Sequence, residues 1–145
     1  MKLEGKVAIV TGAASGFGRA IAERFVLEGA KLVMADINGE GVSEVASGYG
    51  DNALVVTCDV SQKADVDALV RAAAEAFGGV DIMVNNAGIT HDNQPLLDVT
   101  EAEFDRIYAV NVKSIYLATL AVVPRMEKRG GGVIINTAST HTSPL

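Results

Sequence analysis

A short run of near-continuous apolar character at residues 6–10 passes directly into Thr11-Gly12-Ala13-Ala14-Ser15-Gly16-Phe17-Gly18, and a helical pattern follows at once. A strand that is apolar on both faces is one that other layers cover on both sides. The helix expected at 16–28 gathers Ile21, Phe25 and its alanines on one face, with Gly29 placed to end it. A strand feeding straight into a helix needs a parallel partner strand, reached by a right-handed crossover. That opening unit constrains the fold more than any other feature of the chain.

The unit recurs along the sequence. Strands are expected at 31–35, 54–58, 80–84 and 133–136. Between them lies a glycine-diluted helix at 39–47, then one capped by Ser61 and reaching Phe77. Val66, Leu69, Val70, Ala73 and Phe77 fall on one face of the latter. Thr100-x-x-Glu103 is a capping box that opens the longest helix, which runs toward Arg129 and ends at glycines 130–132. The pattern predicts an α/β fold, a doubly wound parallel sheet with helices on both faces. It is read as a single domain over 1–145, stopping after strand five and therefore C-terminally incomplete. Such sheets take ligands beyond the carboxyl ends of their strands.

The glycine turn suits a pyrophosphate, because glycines allow close backbone approach and the helix N-terminus offers free N–H groups. Its spacing is G-x-x-x-G-x-G, and Arg19-Ala20 stands where a nucleotide-triphosphate loop needs Lys and Ser/Thr. Strand two ends on Asp36, a carboxylate fitted to accept hydrogen bonds from an adenosine ribose and to repel a 2′-phosphate. No Arg or Lys stands at Ala14, Ser15 or Ile37 to receive that phosphate. NAD is therefore expected over NADP.

Other classes are disfavoured. The net charge is −6, with no basic run longer than two, which argues against nucleic acid as a partner. Cys58 is the only cysteine, so no internal disulfide forms, and it is expected to pack rather than react. No uninterrupted apolar run reaches the roughly 18 residues of a membrane span, and no secretory signal is visible, so the cytoplasm is expected. His91 and His141 stand in loops without a third ligand, and no metal site is expected.

Five motifs together resemble the short-chain dehydrogenases/reductases. These are residues 11–18, Asp59-Val60 after strand three, Asn85-Asn86-Ala87-Gly88 closing strand four, Asn111 in the long helix, and Asn136-Thr137-Ala138-Ser139 closing strand five. The resemblance covers essentially the whole chain and implies a Rossmann fold. It implies that Gly12, Ser15, Gly16, Phe17 and Gly18 line a pyrophosphate site. Asp36 and Ile37 would flank the adenosine ribose, and Asp59 and Val60 the adenine. Asn86, Ala87 and Gly88 would carry the cofactor onward, with Val110 nearby. Family members move a hydride between the nicotinamide and an alcohol or carbonyl carbon. Ser139 matches the Ser that orients the substrate oxygen, and Asn111 the Asn that anchors a proton relay. The complete protein is expected to be a homo-oligomer acting on a small alcohol or carbonyl substrate.

The chain departs from that pattern in one respect. The family's Tyr-x-x-x-Lys acid–base pair is absent, since Tyr49, Tyr108 and Tyr116 are followed four residues later by Ala53, Val112 and Leu120. The pair is expected beyond Leu145. The alternative reading is a non-catalytic dinucleotide-binding module or an inactive fragment.

Overall fold

The computed structural model describes residues 1–139; His141 lies outside them. Five parallel strands form one sheet in the order β3-β2-β1-β4-β5. They are β1 (Val7–Thr11), β2 (Lys31–Asp36), β3 (Ala53–Thr57), β4 (Ile82–Asn85) and β5 (Val133–Asn136). The helices are α1 (Gly16–Leu27), α2 (Gly39–Ala46), α3 (Lys63–Phe77), α4 (Glu101–Tyr108) and α5 (Ser114–Lys128). A π-helical segment, Ala109–Lys113, joins α4 to α5 without a break.

The pleat sorts the core into two layers. Ala8 and Val10 of β1 face α1 and α2 with Leu32, Met34, Ala22 and Val42. Ile9 faces the opposite way, toward α3 and α5, with Val33, Met83, Leu69, Val70, Leu117 and Val122. The expected doubly wound arrangement is the one observed. Sequence order reverses between β1, with β2 on one side, and β4 on the other. The crevice above the carboxyl ends opens at that reversal.

Three local expectations are corrected. Ser61 does not cap α3: Gln62 holds the cap position without a side-chain bond, and the Ser61 hydroxyl donates to Asp59 Oδ1 at 2.7 Å. Asp59 competes successfully for that hydroxyl because it already accepts the Ser61 N–H at 2.9 Å. Cys58 lies one residue past β3, where burial, with Asp65 and Asp59 nearby, pushes its thiol pKa up to about 12. The Thr100–Glu103 capping box forms as expected, but the long helix it opens contains the π-segment.

That helix, Glu101–Lys128, is long and apolar enough to cross a membrane by length and composition. Its apolarity has two sources. Leu117, Ala118, Val122 and Met126 pack on the sheet. Phe104, Tyr108, Val112, Tyr116 and Leu120 form a second, exposed stripe, each between 47% and 61% accessible. Residues four apart drift about 40° per step around an α-helix. The π-turn holds more residues per turn and offsets part of that drift, keeping the stripe on one side.

The end of the sheet opposite the crevice is tied by Asp81. Its carboxylate accepts Arg129 Nε and Nη2, both at 3.0 Å, and the Val7 N–H at 2.8 Å. Burial alone raises the Asp81 carboxyl, but the Arg129 and Val7 hydrogen bonds and the guanidinium charge outweigh it and hold the pKa below its ordinary value. A depressed carboxylate pKa stabilises the fold above the unfolded value, near 4, and this contribution disappears as pH falls through the folded value. Asp81→Asn is therefore expected to cost about 1.5–3 kcal/mol at neutral pH. The gap between parent and variant should close below about pH 4 in urea titrations; a pH-independent gap contradicts the assignment.

Candidate functional site

The glycine turn is held in place from behind. Thr11 ends β1 with only 2% exposure, and its hydroxyl donates to the Val84 carbonyl at 3.3 Å. The same oxygen accepts the N–H groups of Asn86 and Ala87 at 3.0 and 3.1 Å, which uses its whole hydrogen-bonding capacity. Asn86 Nδ2 returns a bond to the Thr11 carbonyl at 3.1 Å. Thr137, just past β5, reaches Asn86 Oδ1 at 3.4 Å, and Asn85 donates to Asn136 at 2.9 Å. The ends of β1, β4 and β5 are thus stitched together by short polar side chains. Sequence reasoning assigned no role to Thr11 and none to Thr137 by itself. A Thr directly ahead of the first glycine was the available signal for Thr11.

The turn itself needs its glycines for two different reasons. Gly12 and Gly16 have φ of +65° and +55°, the left-handed region. At Gly18 the constraint is space: a Cβ there would stand 2.0 Å from the Gly12 carbonyl oxygen and 2.6 Å from Asn86 Nδ2. Helix α1 therefore starts against the turn. Ser15 occupies its cap position without making a side-chain cap bond, and the first turn carries no acidic residue. The leading N–H groups of α1 are left for an anion, as the macrodipole favours.

A carboxylate stands beside that turn. Asp36 accepts the Ala14 N–H at 3.0 Å through one oxygen and the Asn38 N–H at 2.9 Å through the other. Each oxygen keeps acceptor capacity for a further donor.

These parts border a cavity of about 840 Å³ at the carboxyl ends of the strands, within the range of small-molecule and cofactor sites. Gly12, Ser15, Phe17, Asp36 and Ile37 line it from the β1 and β2 side. Asp59, Val60, Asn86, Ala87, Gly88 and Val110 complete the sequence-expected set on its wall. Gly16 and Gly18, also expected on it, do not line it: Gly16 is exposed, and Gly18 is buried against the Gly12 carbonyl. Asp105, Arg106 and Ile89 also line the cavity and were not anticipated. Arg106 and Val110 are four apart, so helical spacing would have disclosed the former once the latter was placed.

The two residues expected at the chemistry are not on this wall. Asn111 sits in the π-segment with its amide engaged on both sides: Oδ1 accepts the Ile89 N–H at 2.8 Å, and Nδ2 donates to the Ile89 carbonyl at 2.7 Å. It clips the loop after β4 to the long helix. Ser139 is exposed, three residues beyond β5. No tyrosine lines the cavity. Tyr49 packs with the α1/α2 core layer, and burial, with the Glu23 charge, raises its phenol pKa. Tyr108 and Tyr116 belong to the exposed stripe. His91 contacts the neighbouring Asp92 carbonyl. Among the described residues no three metal-ligating side chains cluster.

Comparison with known proteins gives consistent matches. Residues 6–144 match the family model for short chain dehydrogenase. A 4-formylbenzenesulfonate dehydrogenase of Comamonas testosteroni is 50% identical over 143 residues, which cover 97% of this chain and 57% of that protein. A 2-(R)-hydroxypropyl-CoM dehydrogenase of Xanthobacter autotrophicus is 45% identical, with 92% of this chain and 56% of that protein covered. The crystal structure of a 3-ketoacyl-(acyl-carrier-protein) reductase from Brucella melitensis, complexed with NADH, superposes with a TM-score of 0.91 at 50% identity. That match covers 94% of this chain and 58% of the other. The chain spans a little over half the length of these proteins.

Proposed function

The chain belongs to the short-chain dehydrogenase family, and on that premise we propose that residues 1–145 form one dinucleotide-binding domain of an NAD(H)-dependent alcohol or carbonyl oxidoreductase. The carrying observation is the cavity at the strand-order reversal, bordered by a glycine turn in which Gly18 has no room for a side chain, with Asp36 beside it. A nicotinamide dinucleotide fits that cradle and, when bound, supplies the hydride acceptor or donor.

The roles of the residues follow from their chemistry. The free N–H groups at the start of α1 bind the pyrophosphate, and Gly12 lets it approach the backbone. Asp36 accepts the adenosine ribose hydroxyls with the capacity its two backbone bonds leave over. Asp59 and Val60 flank the adenine, Ile37 stands with Asp36 at the ribose, and Val110 lies nearby on the same wall. Asn86, Ala87 and Gly88 lead toward the nicotinamide end, and Asn86 also locks the turn. Asn111 acts as a positioning residue through Ile89. Ser139 donates a hydrogen bond to the substrate oxygen. A second copy of the chain, in a homo-oligomer, covers the exposed stripe of α4 and α5.

Cofactor choice is the direct test. Asp36 leaves no countercharge for a 2′-phosphate, so NADH is expected to bind at least tenfold tighter than NADPH, about 1.4 kcal/mol. Asp36→Asn should shrink that ratio toward one by improving NADPH relative to NADH. Calorimetric titration of both cofactors against both proteins checks it. Preference for NADPH in the parent contradicts the assignment of Asp36.

A further inference from the structure

The cavity wall holds one cation that the reading above leaves without a role. We propose that Arg106 is a base-stacking residue of the nucleotide site, with its guanidinium lying over the adenine of a bound dinucleotide. The proposal rests on the dinucleotide reading and deepens it.

Arg106 stands in the last turn of α4, four residues before Val110, so the two share a helical face one turn apart. Both line the cavity, as does Val60 after β3. The other ionisable carboxylates on that wall are Asp36, Asp59 and Asp105. Charge pairing does not explain the arginine. The ion pairs among the described residues are Arg24–Glu28, Lys63–Asp67 and Arg129–Asp81. Asp59 turns its Oδ1 to the Ser61 N–H and hydroxyl instead. Asp105 precedes Arg106 directly, and adjacent residues on a helix do not face one another.

A guanidinium without an ion pair, on a wall that also carries two valines, has the chemistry to cover a flat π-system. It is planar and weakly hydrated, and it stacks on aromatic faces, so losing water from its flat side costs less than it would for an ammonium. Val60 and Val110 offer the base an apolar surface with no directional demand. A stacked guanidinium adds attraction on top of that surface. The side chain is exposed in the structure, so stacking requires no buried contact to be broken first.

Calorimetric titration of NADH, NADPH and ADP-ribose against the parent, Arg106→Ala and Arg106→Lys tests the proposal. Arg106→Ala is expected to weaken NADH and ADP-ribose alike, by about three- to thirty-fold. Arg106→Lys should recover little of this, because it restores charge without the plane. The loss should persist near 1 M salt, where the Debye length is about 3 Å. Full recovery by lysine, or disappearance of the loss in salt, assigns Arg106 to a phosphate and overturns stacking. A loss confined to NADPH overturns it likewise, as does unchanged affinity in Arg106→Ala. A parent chain that binds no NADH fails the dinucleotide reading itself, which is seen before any variant is compared.

Discussion

Gly18→Ala is expected to abolish measurable NAD(H) binding, a loss of about a hundredfold or more, and to destabilise the fold by about 1–3 kcal/mol. Helix propensity alone predicts the reverse, since alanine in a helix is favoured over glycine by up to about 1 kcal/mol. Space decides the sign here. The new methyl would stand 2.0 Å from the Gly12 carbonyl oxygen and 2.6 Å from Asn86 Nδ2. The first is backbone and the second is committed to Thr11, so relief requires the turn or the start of α1 to move. Either movement displaces the N–H groups that meet the pyrophosphate. Gly16→Ala makes an informative contrast. Nothing lies within 4 Å of a Cβ there, and only the φ of +55° opposes it. That backbone strain is worth about 1–2 kcal/mol, so a milder loss is expected. The neutral control is Gly48→Ala, which has open space and no positive φ. Gly41, which looks equally remote in the sequence, would bring a Cβ within 2.5 Å of Asn38 Nδ2. Chemical denaturation alongside NADH titration separates the two effects. Parent-like binding by Gly18→Ala would remove the main support for the nucleotide site.

The architecture was legible because each of its signals is local. Periods of two and 3.6, a capping box at Thr100 and glycines after each helix are written in neighbouring residues, and β5 starts and stops where the sequence places it. The wall of the site was legible for a related reason. Residues at the carboxyl ends of parallel strands must converge, so Gly12, Asp36, Asp59 and Asn86 meet whatever fills the core. What stayed hidden depends on partners far away in the chain. Asn111 appeared as a lone polar residue in a helix, and its engagement with Ile89 joins positions that the sequence separates by a loop and a helix. The π-segment has no compositional mark: Ala109–Lys113 reads like the helix on either side. Ser61 had two acceptable fates, as cap or as partner of Asp59, and only the path of the loop chose between them. Val110, Ile115, Leu117, Leu120 and Val123 of the long helix suited either another subunit or, for most of them, packing on the chain's own sheet. The structure buries Leu117 on the sheet and exposes Leu120 with Phe104, Tyr108, Val112 and Tyr116. An apolar residue on a two-sided helix does not say which side it faces until the π-turn is known.

The 145-residue chain is expected to bind NADH yet to show no measurable oxidation of alcohols or reduction of ketones. Hydride transfer to a carbonyl carbon leaves an oxyanion that must gain a proton, and the reverse reaction must remove one. Ser139 can donate a hydrogen bond to that oxygen, but a serine hydroxyl is a poor acid and base near neutrality. The three tyrosines are unsuited to help: Tyr49 packs within the α1/α2 core layer, and Tyr108 and Tyr116 point into the exposed stripe. None has a lysine four residues on to lower its pKa. General acid–base assistance is worth about 10²–10⁴ in rate. Positioning of substrate against the nicotinamide, which needs walls on every side, adds up to about 7–11 kcal/mol. Binding and turnover should therefore separate. The decisive comparison is this chain beside a chimera that adds the remaining segment of a relative, with NADH titration and absorbance assays run on both. Binding by both with turnover only in the chimera supports an oxidoreductase whose proton-transfer residues lie outside these 145 positions. Binding by both with no turnover in either favours a cofactor-binding module. Turnover by the 145-residue chain alone would overturn the assignment, since it requires a proton donor that is not found at the cavity among the described residues.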